Sequence, residues 1–152
     1  MFYFRYKDYH QFYLSSELYN LILEKNSIVT IKNIRAFFKK TVLINHRIKI
    51  MKVNNMLYLI TVRFKSEYCK TRFLDYLTYY NELFPPWLVF PNYLNQHISW
   101  DQGVQYDYSI LTWSKFWAKL TTEQREEYLS KYRCSKEWLV WLENIVAFDE
   151  NN

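Results

Sequence analysis

The chain has 152 residues, is 50% hydrophobic and 21% aromatic, and carries a net charge of +5. That length suits one domain with a core of its own, and the apolar content excludes intrinsic disorder. One glycine excludes a glycine-rich phosphate loop, and two isolated cysteines, Cys69 and Cys134, exclude a disulfide framework and a paired-cysteine zinc site.

From the N-terminus, residues 1–14 are aromatic and roughly alternating, with Phe2, Phe4 and Tyr6 on one parity and Tyr3 and Arg5 on the other, which predicts a short strand. The first residues lack the basic segment, apolar run and small-residue cleavage site of a signal peptide. No stretch approaches the ~18 apolar residues that span a bilayer. With unpaired cysteines, these features place the chain in the cytoplasm and off the membrane. Ser15-Ser16-Glu17 starts a helix, with serine as cap and glutamate in the first turn, and Asn26 is its stop. Thr30 caps a second helix with Ile31, Ile34 and Phe38 on one face and Lys32, Lys39 and Lys40 off it. From His46 to Val53 the period becomes two, with Ile48 and Ile50 set against Arg47 and Lys49. Met56, Tyr58, Ile60, Val62 and Phe64 continue that alternation after Asn54-Asn55, which predicts a hairpin with a two-residue turn at the asparagines.

Ser66-Glu67 starts a third helix, with Tyr68, Phe73, Tyr76, Leu77 and Tyr80 as its stripe and Phe84-Pro85-Pro86 as its end. All three prolines and Gly103 fall between residues 84 and 103, which reads as an irregular aromatic crossover. Three helices follow. The first runs from about Val104 to Leu120, with Tyr108, Leu111, Phe116 and Leu120 inward. Thr121 and Gln124 then form a capping box, with Tyr128 and Leu129 inward beyond it. Ser135 caps the last helix, with Trp138, Leu139, Leu142 and Ile145 as its stripe. The expected fold is α+β. A small antiparallel hairpin or sheet packs with helices in a basic lobe (1–83), the crossover spans 84–103, and a three-helix acidic lobe covers 104–148, all in one domain.

Charge is divided along the chain. Residues 1–80 hold 14 Lys and Arg against 5 Asp and Glu, whereas residues 100–152 hold 6 against 9. Such a dipolar molecule steers charged partners onto either end. In the basic half, Arg47 and Lys49 share one strand face and Arg63 and Lys65 share a face of the next, so the four form one candidate patch. Basic sheets interleaved with aromatics are how several modules hold single-stranded nucleic acid. In the acidic half, Trp100, Asp101, Gln102, Tyr106 and Asp107, together with Glu126 and Glu127, are candidates for capping a basic site on another protein. His10, His46 and His97 are scattered and have no ligand spacing. No catalytic motif, metal site or cofactor motif is visible, so the reading is of a binding protein and not an enzyme.

The order Phe84-Pro85-Pro86-Trp87, Phe90-Pro91, Trp100-x-Gln-Gly103, Tyr106 or Tyr108, Trp113, Trp117, Leu120-Thr-x-Glu123, Tyr128, Tyr132 and Glu137-Trp138 resembles small bacterial immunity proteins of polymorphic-toxin systems. Partners of contact-dependent and type VI secreted effectors are among them. The resemblance covers residues 84–142 and implies a non-enzymatic inhibitor that occludes one cognate toxin, stoichiometrically and without a cofactor. A phage- or plasmid-type protein that binds nucleic acid or a host component through the basic half is the alternative.

Overall fold

A computed structural model describes residues 8–41, 47–92 and 103–149. The chain divides into two compact units, Met1–Leu83 and Phe84–Asn152, and the fold is α+β.

The first unit is built on three strands, β1 (Asp8–Tyr13), β2 (Arg47–Lys52) and β3 (Tyr58–Phe64). They form one antiparallel sheet in the order β1-β3-β2, so the longest apolar strand is central. Three helices belong to the same unit, α1 (Ser16–Asn26), α2 (Ile31–Thr41) and α3 (Glu67–Leu77). The Ser15 side chain accepts from the Leu18 N–H at 3.2 Å and Thr30 does the same for Asn33 at 3.1 Å, so both expected caps form. Leu18, Ile22, Ile34, Phe38, Ile60, Val62, Phe64 and Phe73 are fully buried in one cluster. Each such side chain contributes about 1.5–3 kcal/mol relative to exposure. A polar clasp closes the unit: Ser16 N–H donates to the Glu82 carbonyl at 2.8 Å, and Ser16 Oγ donates to the Glu82 carboxylate at 2.9 Å.

Two local expectations change here. The β2–β3 connection is a five-residue loop, 53–57, rather than a two-residue turn. Asn54 Oδ1 accepts from the Met56 and Leu57 N–H groups at 3.0 and 2.9 Å, so the side chain closes the loop and neither asparagine needs positive φ. The third helix stops at Leu77, well before Pro85. Its last bonds tighten to the three-residue spacing at Tyr79 and Tyr80, and Thr78 Oγ1 donates to the Asp75 carbonyl at 2.6 Å.

The second unit holds α4 (Pro86–Val89), α5 (Gly103–Tyr106), a π-helical segment (Asp107–Trp113), α6 (Ser114–Ala118), α7 (Thr122–Lys131) and α8 (Lys136–Asp149). The double proline, read above only as a stop, also begins the short α4, with Pro86 at the first helical position. The π segment explains why the inward set differs from the expected one. Its wider turn places residues five apart on one side, so Tyr108 and Trp113 align, and Trp117 follows four residues later. These three are buried, whereas Leu111 is exposed and Phe116 and Leu120 are half-buried. Trp113 stacks on Trp117 at 5.3 Å, and its Nε1 donates to the Tyr128 hydroxyl at 3.0 Å. Trp87 Nε1 donates to the Tyr132 carbonyl at 2.9 Å, and the Tyr108 hydroxyl donates to the Phe84 carbonyl at 2.6 Å. The Thr121–Gln124 capping box is present. On α8, Trp138 and Leu142 are buried, but Leu139 is exposed; the Ile145 side chain lies outside the described residues.

Candidate functional site

In an antiparallel sheet, residues directly opposite one another point to the same side. The register therefore sorts the sheet into two faces. One carries His10 and Phe12, Ile48 and Ile50, and Tyr58, Ile60, Val62 and Phe64, and α1, α2 and α3 contribute to the core on that side. The other face is a grid of three rows across β1, β3 and β2. The rows are Tyr9–Arg63–Arg47, Gln11–Thr61–Lys49 and Tyr13–Leu59–Met51.

Arg47, Lys49, Arg63 and Lys65 are all exposed. Arg47 and Arg63 are direct cross-strand partners, and Lys49 faces Thr61 in the next row. Arg47, Ile48, Lys49, Thr61 and Arg63 line an open depression of about 330 Å³. Three of the four basic residues expected to cluster are thus brought to one hollow, and Lys65 lies just past the end of β3. Tyr9, beside Arg63, is 66% exposed and offers a bare ring. Gln11 Nε2 donates to Thr61 Oγ1 at 3.1 Å, a polar floor between the two ends of the grid. The nearest carboxylate along β1 is Asp8, which the register turns to the core face. There the Lys70 ammonium holds it in an ion pair and keeps its carboxyl below the ordinary range.

The acidic candidates are dispersed. Trp100, Asp101 and Gln102 lie outside the described residues. Tyr106 is half-buried and Asp107 exposed at the junction of α5 with the π segment, and Glu126 and Glu127 are exposed on the second turn of α7. The packing between those elements runs through Trp113, Phe116, Trp117 and Tyr128. Among the described residues no group of His, Cys, Asp and Glu is placed to hold a metal ion, and no helix is long and apolar enough to cross a membrane.

Sequence reasoning did not single out Tyr9, Gln11 or Thr61, because the pairing of β1 with β3 is non-local. A signal for the whole surface was nevertheless present. Residues 25–66 contain ten Lys and Arg and no Asp or Glu. No family model matches the chain, and no curated protein or solved structure matches it.

Proposed function

We propose that the protein binds single-stranded nucleic acid on the outer face of its sheet. The observation that carries this reading is Arg63. Cations on β2 have an ordinary explanation, since edge strands use charge to resist pairing with other chains. Arg63 is on the central strand β3, directly opposite Arg47. Like charges in that position are destabilising, and a phosphate seated between them removes the repulsion. The exposed Tyr9 ring in the same row supplies a platform for a base. A flat sheet face suits an unpaired strand, whereas groove readout of a duplex requires a protruding helix or ribbon.

The test is anisotropy titration of a labelled five-nucleotide oligothymidylate against salt. With four phosphates neutralised by Arg47, Lys49, Arg63 and Lys65, log K falls against log salt with a slope of about −2.8. Arg63→Glu and Lys49→Glu each weaken binding, and Glu126→Lys on the other unit does not. A salt-independent affinity, or charge reversal without effect, removes the proposal.

A second reading is neutralisation of a secreted antibacterial toxin by the Phe84–Asn152 unit, as the immunity-protein resemblance implies. It is favoured by Glu126 and Glu127, adjacent carboxylates that are both exposed on the second turn of α7. Protection of cells expressing the toxin domain encoded beside this chain, lost on Glu126→Lys with Glu127→Lys, supports it. Absence of protection by the unaltered chain dismisses it.

A further inference from the structure

Helix α2 presents Lys32, Arg35, Lys39 and Lys40 to solvent, along with Ala36, while Ile34, Phe37 and Phe38 are buried. At spacings of three, four and eight, the four cations form one stripe. The helix has no acidic residue. Among the described residues none of the four has a carboxylate partner.

Local electrostatics accounts for half of this stripe. Lys39 and Lys40 sit in the last turn, where the helix dipole favours cations. Lys32 is the second residue of the helix and Arg35 the fifth. Lys32, in the first turn, opposes the dipole, and the Lys32–Arg35 and Arg35–Lys39 neighbours repel at each spacing. The apolar side of α2 is consumed by the core, so the helix has no free apolar face to insert into a bilayer. A stripe of mutually repelling charges that begins in the first turn of a helix is what an extended polyanion stabilises.

Helix α2 contacts β2, the edge strand that carries Arg47 and Lys49, from the core side of the sheet, so a strand leaving the outer face reaches its cations by passing round the β2 edge. Neither element contains a carboxylate. We propose that a longer single strand, once seated on the sheet face as proposed above, continues over the β2 edge onto α2, where Lys32, Arg35, Lys39 and Lys40 hold its backbone. The inference rests on that sheet-face reading and extends it from a short site to a track. The sheet face is about 10 Å across at its strand spacing, and the 11 residues of α2 add about 16 Å. The combined footprint falls within the span of known single-strand sites, about 4–16 nucleotides.

The experiment compares oligothymidylates of five and fifteen nucleotides on the full chain and on the variant Lys32→Gln/Arg35→Gln/Lys39→Gln/Lys40→Gln. Glutamine keeps helix propensity, and far-ultraviolet circular dichroism verifies that the variant folds. For the unaltered chain the salt slope steepens from about −2.8 for the five-mer to about −5.6 for the fifteen-mer, as four further phosphates are neutralised. In the variant the fifteen-mer slope returns to about −2.8, while five-mer affinity stays within about twofold, because that site lies wholly on the sheet. Equal slopes for both lengths on the unaltered chain overturn the track and leave the sheet site standing. No binding of the five-mer overturns both. Equal affinity for a fifteen-base-pair duplex, for polyglutamate or for phosphatidylserine vesicles, with the same sensitivity to the four glutamines, overturns the single-strand assignment.

Discussion

Replacing Arg63 by threonine separates the two demands placed on the sheet. Arg63 and Arg47 are direct cross-strand neighbours on an exposed face. Such pairs shift stability by roughly 0.2–1 kcal/mol, and exposure to solvent puts this one near the lower half, about 0.5 kcal/mol. Threonine also suits a strand better than most polar residues. The variant is therefore more stable than the parent. For a unit of this size about 0.5 kcal/mol is a rise of about 2–4 °C in Tm. The same substitution removes one phosphate contact, so the oligonucleotide salt slope becomes shallower by about 0.7. Thermal melts followed by circular dichroism at 20 mM and at 1 M salt read the first effect, and anisotropy titrations read the second. The stability gain shrinks at 1 M salt, where screening acts over about 3 Å. A variant less stable than the parent, a gain insensitive to salt, or unchanged oligonucleotide binding refutes the idea that Arg63 is held there against the preference of the sheet.

Trp113 is fully buried among Trp87, Trp117, Tyr128 and Trp141; Trp113→Ala costs about 3–5 kcal/mol and abolishes the near-ultraviolet circular dichroism of the second unit, whereas Trp113→Phe costs less and leaves the Tyr128 hydroxyl without its donor. His10 lies half-buried against Phe12, and burial first, then the Lys70 charge, hold its imidazole below the ordinary value while Asp8 opposes them. The unfolded chain thus binds the proton more readily, so stability is full above about pH 6.5 and falls as pH drops through the lower folded value; urea titrations at pH 7.5 and 5.5 show the loss, and His10→Gln flattens it. Burial pushes the Cys134 thiol up to about 11, so alkylation by iodoacetamide at pH 8 runs at least about 100-fold slower than for an unburied thiol and accelerates as pH rises; a fast reaction at pH 8 contradicts that placement.

What the sequence made legible was local. Ser15, Thr30, Ser66, Thr121 and Ser135 all act as caps, because a cap needs only a side chain and an N–H two or three residues on. The alternation in β3 was legible for the same reason, since Tyr58, Ile60, Val62 and Phe64 follow one another at period two. The site was half legible. Arg47, Lys49 and Arg63 were recognisable as basic strand residues, but only the β1-β3-β2 order brings Tyr9 and Gln11 beside them. The inward set of the Asp107–Trp113 segment is not legible at a period of 3.6, which turns Leu111 inward, because the π-helical turn carries Leu111 outward. Nothing local marks such a widening; it is fixed by how Tyr108 and Trp113 pack together with the rest of the unit.

Charges in a folded chain usually answer to nearby rules, and the first unit shows where those rules stop. Edge protection accounts for Lys49 and Lys52 on β2, the helix dipole for Lys25 and for Lys39 and Lys40, and the ion pair with Asp8 for Lys70. Of the remaining cations, Arg63, Lys32 and Arg35 each sit where a neighbour or the helix disfavours them. These three fall within the acid-free stretch from residue 25 to residue 66 and lie on β3 or α2, both of which contact β2. Proteins are stable by only about 5–15 kcal/mol, so several like-charge repulsions in one unit are a measurable fraction of the whole. A polyanion lying across β3, β2 and α2 cancels them together, whereas a small anion in the 330 Å³ depression relieves Arg47 and Arg63 and leaves Lys32 and Arg35 as they were. The extent of stabilisation by ligands of increasing length therefore discriminates between a pocket and a track independently of any affinity measurement.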